Sequence, residues 1–140
     1  MQTQNKRELP GGYERPEFLD GKTYQFQYNG GSIFIIINVD PETKQPVETF
    51  VERGKSGDEE KALAEGIGRL ASIALQKGVP AKDIIRTLQG IQVTRNATIN
   101  APKNGGEGFT IYSVPDALAR ALSYHADTKR FEEIVEGMEG

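Results

Sequence analysis

The residues of this chain with reactive or ligand-gripping side chains fall into two glycine-rich stretches and a few isolated positions. In the first stretch, Gly54-Lys55-Ser56-Gly57 resembles the end of a phosphate loop. A Walker loop needs another glycine five residues before Gly54, and that position is Thr49, so the full motif fails. What survives is a helix start whose N–H groups, with Lys55 and Ser56, suit a phosphate or carboxylate. The alternative is a strand-to-helix turn whose glycines serve geometry alone. In the second stretch, Asn104-Gly-Gly-Glu-Gly108 is flanked by Arg95, Tyr112 and Arg120. Glycines permit a loop to close, arginines suit phosphate and a tyrosine can stack, although such a loop also serves as a plain hairpin end. Arg69 stands alone on a helix, placed to fork onto Glu65 or to reach a second chain. Lys55, Ser56, Arg69, Arg95, Asn104, Tyr112 and Arg120 are the candidate ligand-binding residues.

Catalytic chemistry has little to build on. The chain has no cysteine and one histidine, so thiol nucleophiles, disulfides and thiolate or His-rich metal sites are not expected. His125, beside Tyr124 and Asp127, is expected at a solvated helix end. No Ser/His/Asp or paired-carboxylate arrangement stands out, and neither an enzyme nor a cofactor is expected. At 140 residues with a net charge of −3, the chain is one domain without the positive field that draws in long nucleic acid. No segment has the length and apolarity of a membrane span, which makes a cytoplasmic location the expectation.

The elements that position these residues follow from pattern. Residues 1–22 read as an extended polar arm that frays or lies across a neighbour. Thr23–Tyr28 alternates with period two, Asn29-Gly30-Gly31 supplies a hairpin turn, and Ile33–Val39 returns as a strand apolar on both faces. Such a strand is expected to be central, covered by helices on one side and on the other by something else, such as a second protomer. Val47–Arg53 completes an antiparallel meander. A long helix follows up to Gly78, with Ser56 and Glu59 as its expected capping box and Leu63, Ile67, Leu70 and Ala74 as its expected buried face. Gly66 and Gly68 are expected to let a neighbour approach its backbone. Val79-Pro80 begins a second helix that ends at Gly90, and Ile91–Asn100 is either a strand or an edge loop. After a short strand at 109–112, Ser113 caps a third helix that carries Pro115 in its first turn. The fold class is α+β: an antiparallel sheet of three to five strands packed on a two-helix hairpin, with a third C-terminal helix. The domain spans 23–125, and 126–140 is a charged tail or helix.

Several stretches line up with one family in order and spacing. Arg15-Pro-Glu-Phe-Leu-Asp-Gly-Lys-Thr-Tyr24, Gly31-Ser-Ile-Phe-Ile-Ile-Ile-Asn38, Pro46-Val-Glu-Thr-Phe50, Gly54-Lys-Ser-Gly57, Ala64-Glu-Gly-Ile-Gly-Arg-Leu70 and Gly78-Val-Pro resemble the TSCPD domain. That domain is the C-terminal module of adenosylcobalamin-dependent ribonucleotide reductases and also occurs alone. Its Thr-Ser-Cys-Pro-Asp signature stands here as Tyr112-Ser113-Val114-Pro115-Asp116. The cysteines that family members often carry are replaced, with Asp58, Val93 and Val114 in those regions, so no thiol role carries over. The resemblance implies a self-associating, dimeric or higher, non-catalytic accessory or regulatory domain, with a ribonucleotide reductase catalytic subunit as the possible partner. A different reading is a small homo-oligomeric protein that sequesters a nucleotide signal, as phage anti-defence proteins do. The polar arm, the two-sided apolar strand and the arginine-bearing glycine loop motivate that alternative.

Overall fold

The computed structural model describes residues 6–8, 12–93, 95–101 and 107–125. Asn104 and the segment 126–140 lie outside the described residues. The described residues form an α+β fold built around a three-stranded antiparallel sheet: β3 (Asp20–Tyr28), β4 (Gly31–Val39) and β5 (Pro46–Arg53), with β4 in the middle. Asn29 and Gly30 both take positive φ, 48° and 78°, so a two-residue turn sets Tyr28 opposite Gly31 and fixes the hairpin register.

That register sends Ile33, Ile35 and Ile37 to one face together with Phe26, Tyr28 and Val51, and all six are buried. Helix α3 (Val114–Ser123) packs over this face through Ala117, Leu118, Ala121 and Leu122. Each buried isoleucine contributes about 2 kcal/mol of hydrophobic stabilisation. Helix α2 (Ala81–Leu88) lies mainly against α3 and adds Ile84 and Ile85 to the same core.

Each outer strand has part of its open backbone edge met by side chains instead of a further strand. On the β5 edge lies α1 (Asp58–Gln76). The Ser72 hydroxyl oxygen accepts the Thr49 N–H at 2.9 Å, and its own proton has the Thr49 carbonyl within reach at 3.0 Å. The Gln76 amide donates to the Val47 carbonyl at 3.0 Å. On the β3 edge, β6 (Thr98–Asn100) brings Asn100 alongside, and β6 pairs with β7 (Phe109–Ile111). The Asn100 amide accepts the Gln27 N–H at 2.7 Å and donates to the Gln27 carbonyl at 3.0 Å, copying one rung of a ladder. Edges satisfied in this way are poor templates for further strand pairing.

The buried face of α1 is the expected one only in part: Ile67 and Ala74 are half-buried against the core, but its centre lies elsewhere. Ala64, Gly68, Ala71 and Leu75 are buried, whereas Leu63 and Leu70 are 59% and 71% exposed. The reason is proximity. A Cβ on Gly68 would sit 3.1 Å from the Val51 nitrogen and 3.3 Å from the Thr49 oxygen, so the helix comes too near β5 to admit a large side chain there. Gly66 departs from its expected role, since a Cβ there meets nothing within 4 Å. Ser56 is not the cap of α1 either: Gly57 occupies the cap position and no side chain bonds the first-turn amides. Ser113, by contrast, caps α3 as expected and accepts the Asp116 N–H at 3.1 Å.

Within the N-terminal segment, β1 (Lys6–Glu8) pairs antiparallel with β2 (Glu14–Pro16). Two side chains fasten β2 and its approach to the sheet. Arg15 grips Glu48 with both Nε, at 2.7 Å, and Nη2, at 3.2 Å, and the Tyr13 hydroxyl donates to Asp40 at 2.6 Å. Burial first, and then the bond to Asp40, push the Tyr13 pKa well above its usual value, so the hydroxyl remains a donor at ordinary pH.

Candidate functional site

The same alternation that buries Ile33, Ile35 and Ile37 turns Phe34, Ile36 and Phe50 to the opposite face of the sheet. Phe50 is 48% exposed, and Ile36 is exposed as well. Because α1 hugs the β5 edge, its flank rises beside these residues and makes the second wall of a groove of about 760 Å³. Arg69, Leu70 and Ile73 stand on that wall, and Glu52 and Glu65 border it. Arg69 reaches Glu65 at 3.6 Å, the partner expected from the sequence, and both side chains are largely exposed. An open pair of this kind contributes little to stability and can be exchanged for another partner at small cost. Large apolar side chains in the centre with charges at the border are the makings of a protein-docking surface.

The other candidate residues are scattered around the fold. Lys55 is exposed with φ of 47°, and the Ser56 hydroxyl oxygen is buried without a hydrogen-bond partner. Asp58, Glu59 and Glu60 occupy the first turn of α1 directly after them, which sets three carboxylates where an anion would sit. Arg95 is exposed in the loop before β6, with φ of 77°. Tyr112 donates its N–H to Asp116 at 3.0 Å and accepts the Val93 N–H at 3.2 Å. The Arg120 guanidinium lies 4.5 Å from the centroid of the Phe109 ring. Of the candidates among the described residues, Arg69 alone lines the groove, while Phe34, Ile36 and Phe50 were not among the candidates. Their signal was the run Ile33–Val39, apolar on both faces.

A second cluster gathers around the aromatic residues of β3. Tyr24 stacks on Tyr124 with centroids 5.4 Å apart, and Phe26 meets Phe109 edge-on at 5.5 Å. His125 is not simply solvated at its helix end, because its Nε2 lies 2.8 Å from the Tyr24 hydroxyl. Burial, and then the nearby charge of Lys22, lower the His125 pKa from its usual value. Among the described residues there is no group of three or more His, Cys, Asp or Glu side chains arranged to hold a metal, and no helix is long and apolar enough to cross a membrane.

A side-capped meander under a helical layer, with one apolar face left open, defines a small α+β domain. The family follows from the chain itself: residues 7–126 match the model of the TSCPD domain, and the chain belongs to that family. No curated protein and no solved structure matches it.

The structure gives the signature residues physical roles. Ser113 caps α3, and Pro115 sits in the first turn, where its missing N–H costs nothing. The Asp116 carboxylate takes the N–H of Tyr112 at 3.0 Å and that of Gly90 at 2.9 Å, which ties the end of α2 to the start of α3. Val114, in the place of the signature cysteine, is buried in the core.

Proposed function

We propose that this chain is a non-catalytic accessory domain that acts by docking on the catalytic subunit of an adenosylcobalamin-dependent ribonucleotide reductase. The TSCPD domain is the C-terminal module of such reductases, and membership of that family supports this choice of partner. The observation that carries the docking reading is the open apolar sheet face of Phe34, Ile36 and Phe50 beside α1. Aromatic and aliphatic anchors of this kind, bordered by Arg69, Glu52 and Glu65, supply affinity at the centre and orientation at the border.

The test is to mix the purified chain with the reductase subunit and follow both co-elution and turnover. A stable complex that changes reductase activity is expected. Phe50→Glu sets a carboxylate at the centre of the groove, so it should abolish the complex while the variant keeps its helical signal. Absence of a complex with the wild-type chain, or a complex indifferent to Phe50→Glu, overturns the proposal.

A further inference from the structure

Helix α1 carries a second pattern, which shares Leu70 and Ile73 with the rim of the groove and runs beyond it to both ends of the helix. Its packed side is Ala64, Gly68, Ala71 and Leu75. Turned about 150° around the helix, at 3.6 residues per turn, is a ridge of Glu59, Leu63, Gly66, Leu70, Ile73 and Lys77. Leu63, Leu70 and Ile73 are exposed large apolar side chains in the middle of this ridge, and Glu59 and Lys77 are exposed at its two ends. Gly66 lies among the leucines, and a Cβ there would meet nothing within 4 Å. A mid-helix glycine weakens a helix, and nothing in the chain's own packing requires this one.

We infer that this ridge is the contact between two copies of the chain, packed α1 against α1 in antiparallel orientation. With the two-fold axis midway between Gly66 and Leu70, Gly66 receives the partner's Leu70 and Leu63 meets the partner's Ile73. Glu59 then faces the partner's Lys77, and every contact occurs twice, as an isologous interface demands. The charge pattern selects this arrangement. An antiparallel pair sets the acidic first turn of each helix, Asp58, Glu59 and Glu60, beside the other's Lys77 end. A parallel pair would press the acidic turns of both copies together. The glycine becomes the hole into which a leucine fits, which is the use its position lacks in a single chain. The seam runs along the crest of α1, between the sheet groove on one flank and the apolar cleft of Ile67, Ile84 and Leu88 on the other.

Sedimentation equilibrium of the full chain measures this directly. A mass of two chains is expected. Gly66→Gln, a helix substitution with no neighbour within 4 Å to disturb in one chain, should shift the mass to one chain, and at concentrations where the wild type is also monomeric its melting temperature should be unchanged or higher. Lys77→Glu should weaken the dimer roughly fivefold, because two repulsive contacts replace two attractive ones. Adding Glu59→Lys to Lys77→Glu should restore it. A single-chain mass for the wild type at every concentration reached overturns the inference. So does a dimer unmoved by both Gly66→Gln and the charge reversal. Neither result depends on whether a reductase binds.

Discussion

The two long sides of α1 use opposite means to the same end. The inner side is built mainly from small residues, Ala64, Gly68, Ala71 and Ser72, with Leu75 as its one large buried side chain near the C-terminal end, and it holds the β5 edge by closeness and by hydrogen bonds. The outer side carries Leu63, Leu70 and Ile73, large apolar side chains left exposed. Hydrophobicity alone ranks the outer side as the core. What decides the matter is the open edge of β5, whose N–H and C=O groups must be satisfied and can be reached only by a helix stripped of large side chains on that side. Gly66 and Gly68, two residues apart, make the contrast sharp: one faces open space and the other sits against a strand backbone.

Substitutions that break the inner side should cost most. Gly68→Leu drives a side chain into Val51 and Thr49, so chemical denaturation should show a loss of about 3 kcal/mol. Ser72→Ala leaves the Thr49 N–H without its partner, and the same measurement should show a loss of about 2 kcal/mol. On the outer side the sign reverses. Gly66→Ala removes a helix-weakening residue without a clash and should stabilise the isolated chain by about 1 kcal/mol. Destabilisation by this variant at concentrations where the chain is monomeric would show that the two sides are not distinct.

The smallest effect lies away from α1, at His125. Its pKa is lowered in the folded chain, so below its ordinary pKa the unfolded state binds more protons than the folded one. Its contribution to stability is complete above about pH 6.5 and is lost as pH falls through the lowered folded value. Comparing melts of wild type and His125→Gln between pH 7.5 and pH 5 should show a shallower decline in the variant.

Much of the fold was legible. The strand and turn over 23–39 were written in period-two alternation and in Asn29-Gly30, and the start of α3 in Ser113 and Pro115. The open sheet face was legible too, because Ile33–Val39 has apolar residues on both sides and one set had to remain outside the core. What stayed hidden depended on neighbours distant in sequence. Nothing near Gly68 announces that β5 passes close by, and Tyr24 finds His125 across 101 positions. β1 and β2 are three residues each, too short for alternation to show. Among the candidate residues, Arg69 was expected to pair with Glu65 or reach a second chain, from a helix reading that had Leu63 and Leu70 on the wrong side. It lies on a flank between the inner and outer sides, so the error did not displace it.

The most direct measurement of the two-sided helix uses the absence of cysteine from the chain. Leu63→Cys and Ile73→Cys are prepared as separate chains, mixed and mildly oxidised, and the covalent species counted. The account predicts that the mixture cross-links readily, in preference to either chain paired with an Asp83→Cys control on α2. Equal yields from all mixtures, or no cross-link between positions 63 and 73, would contradict it.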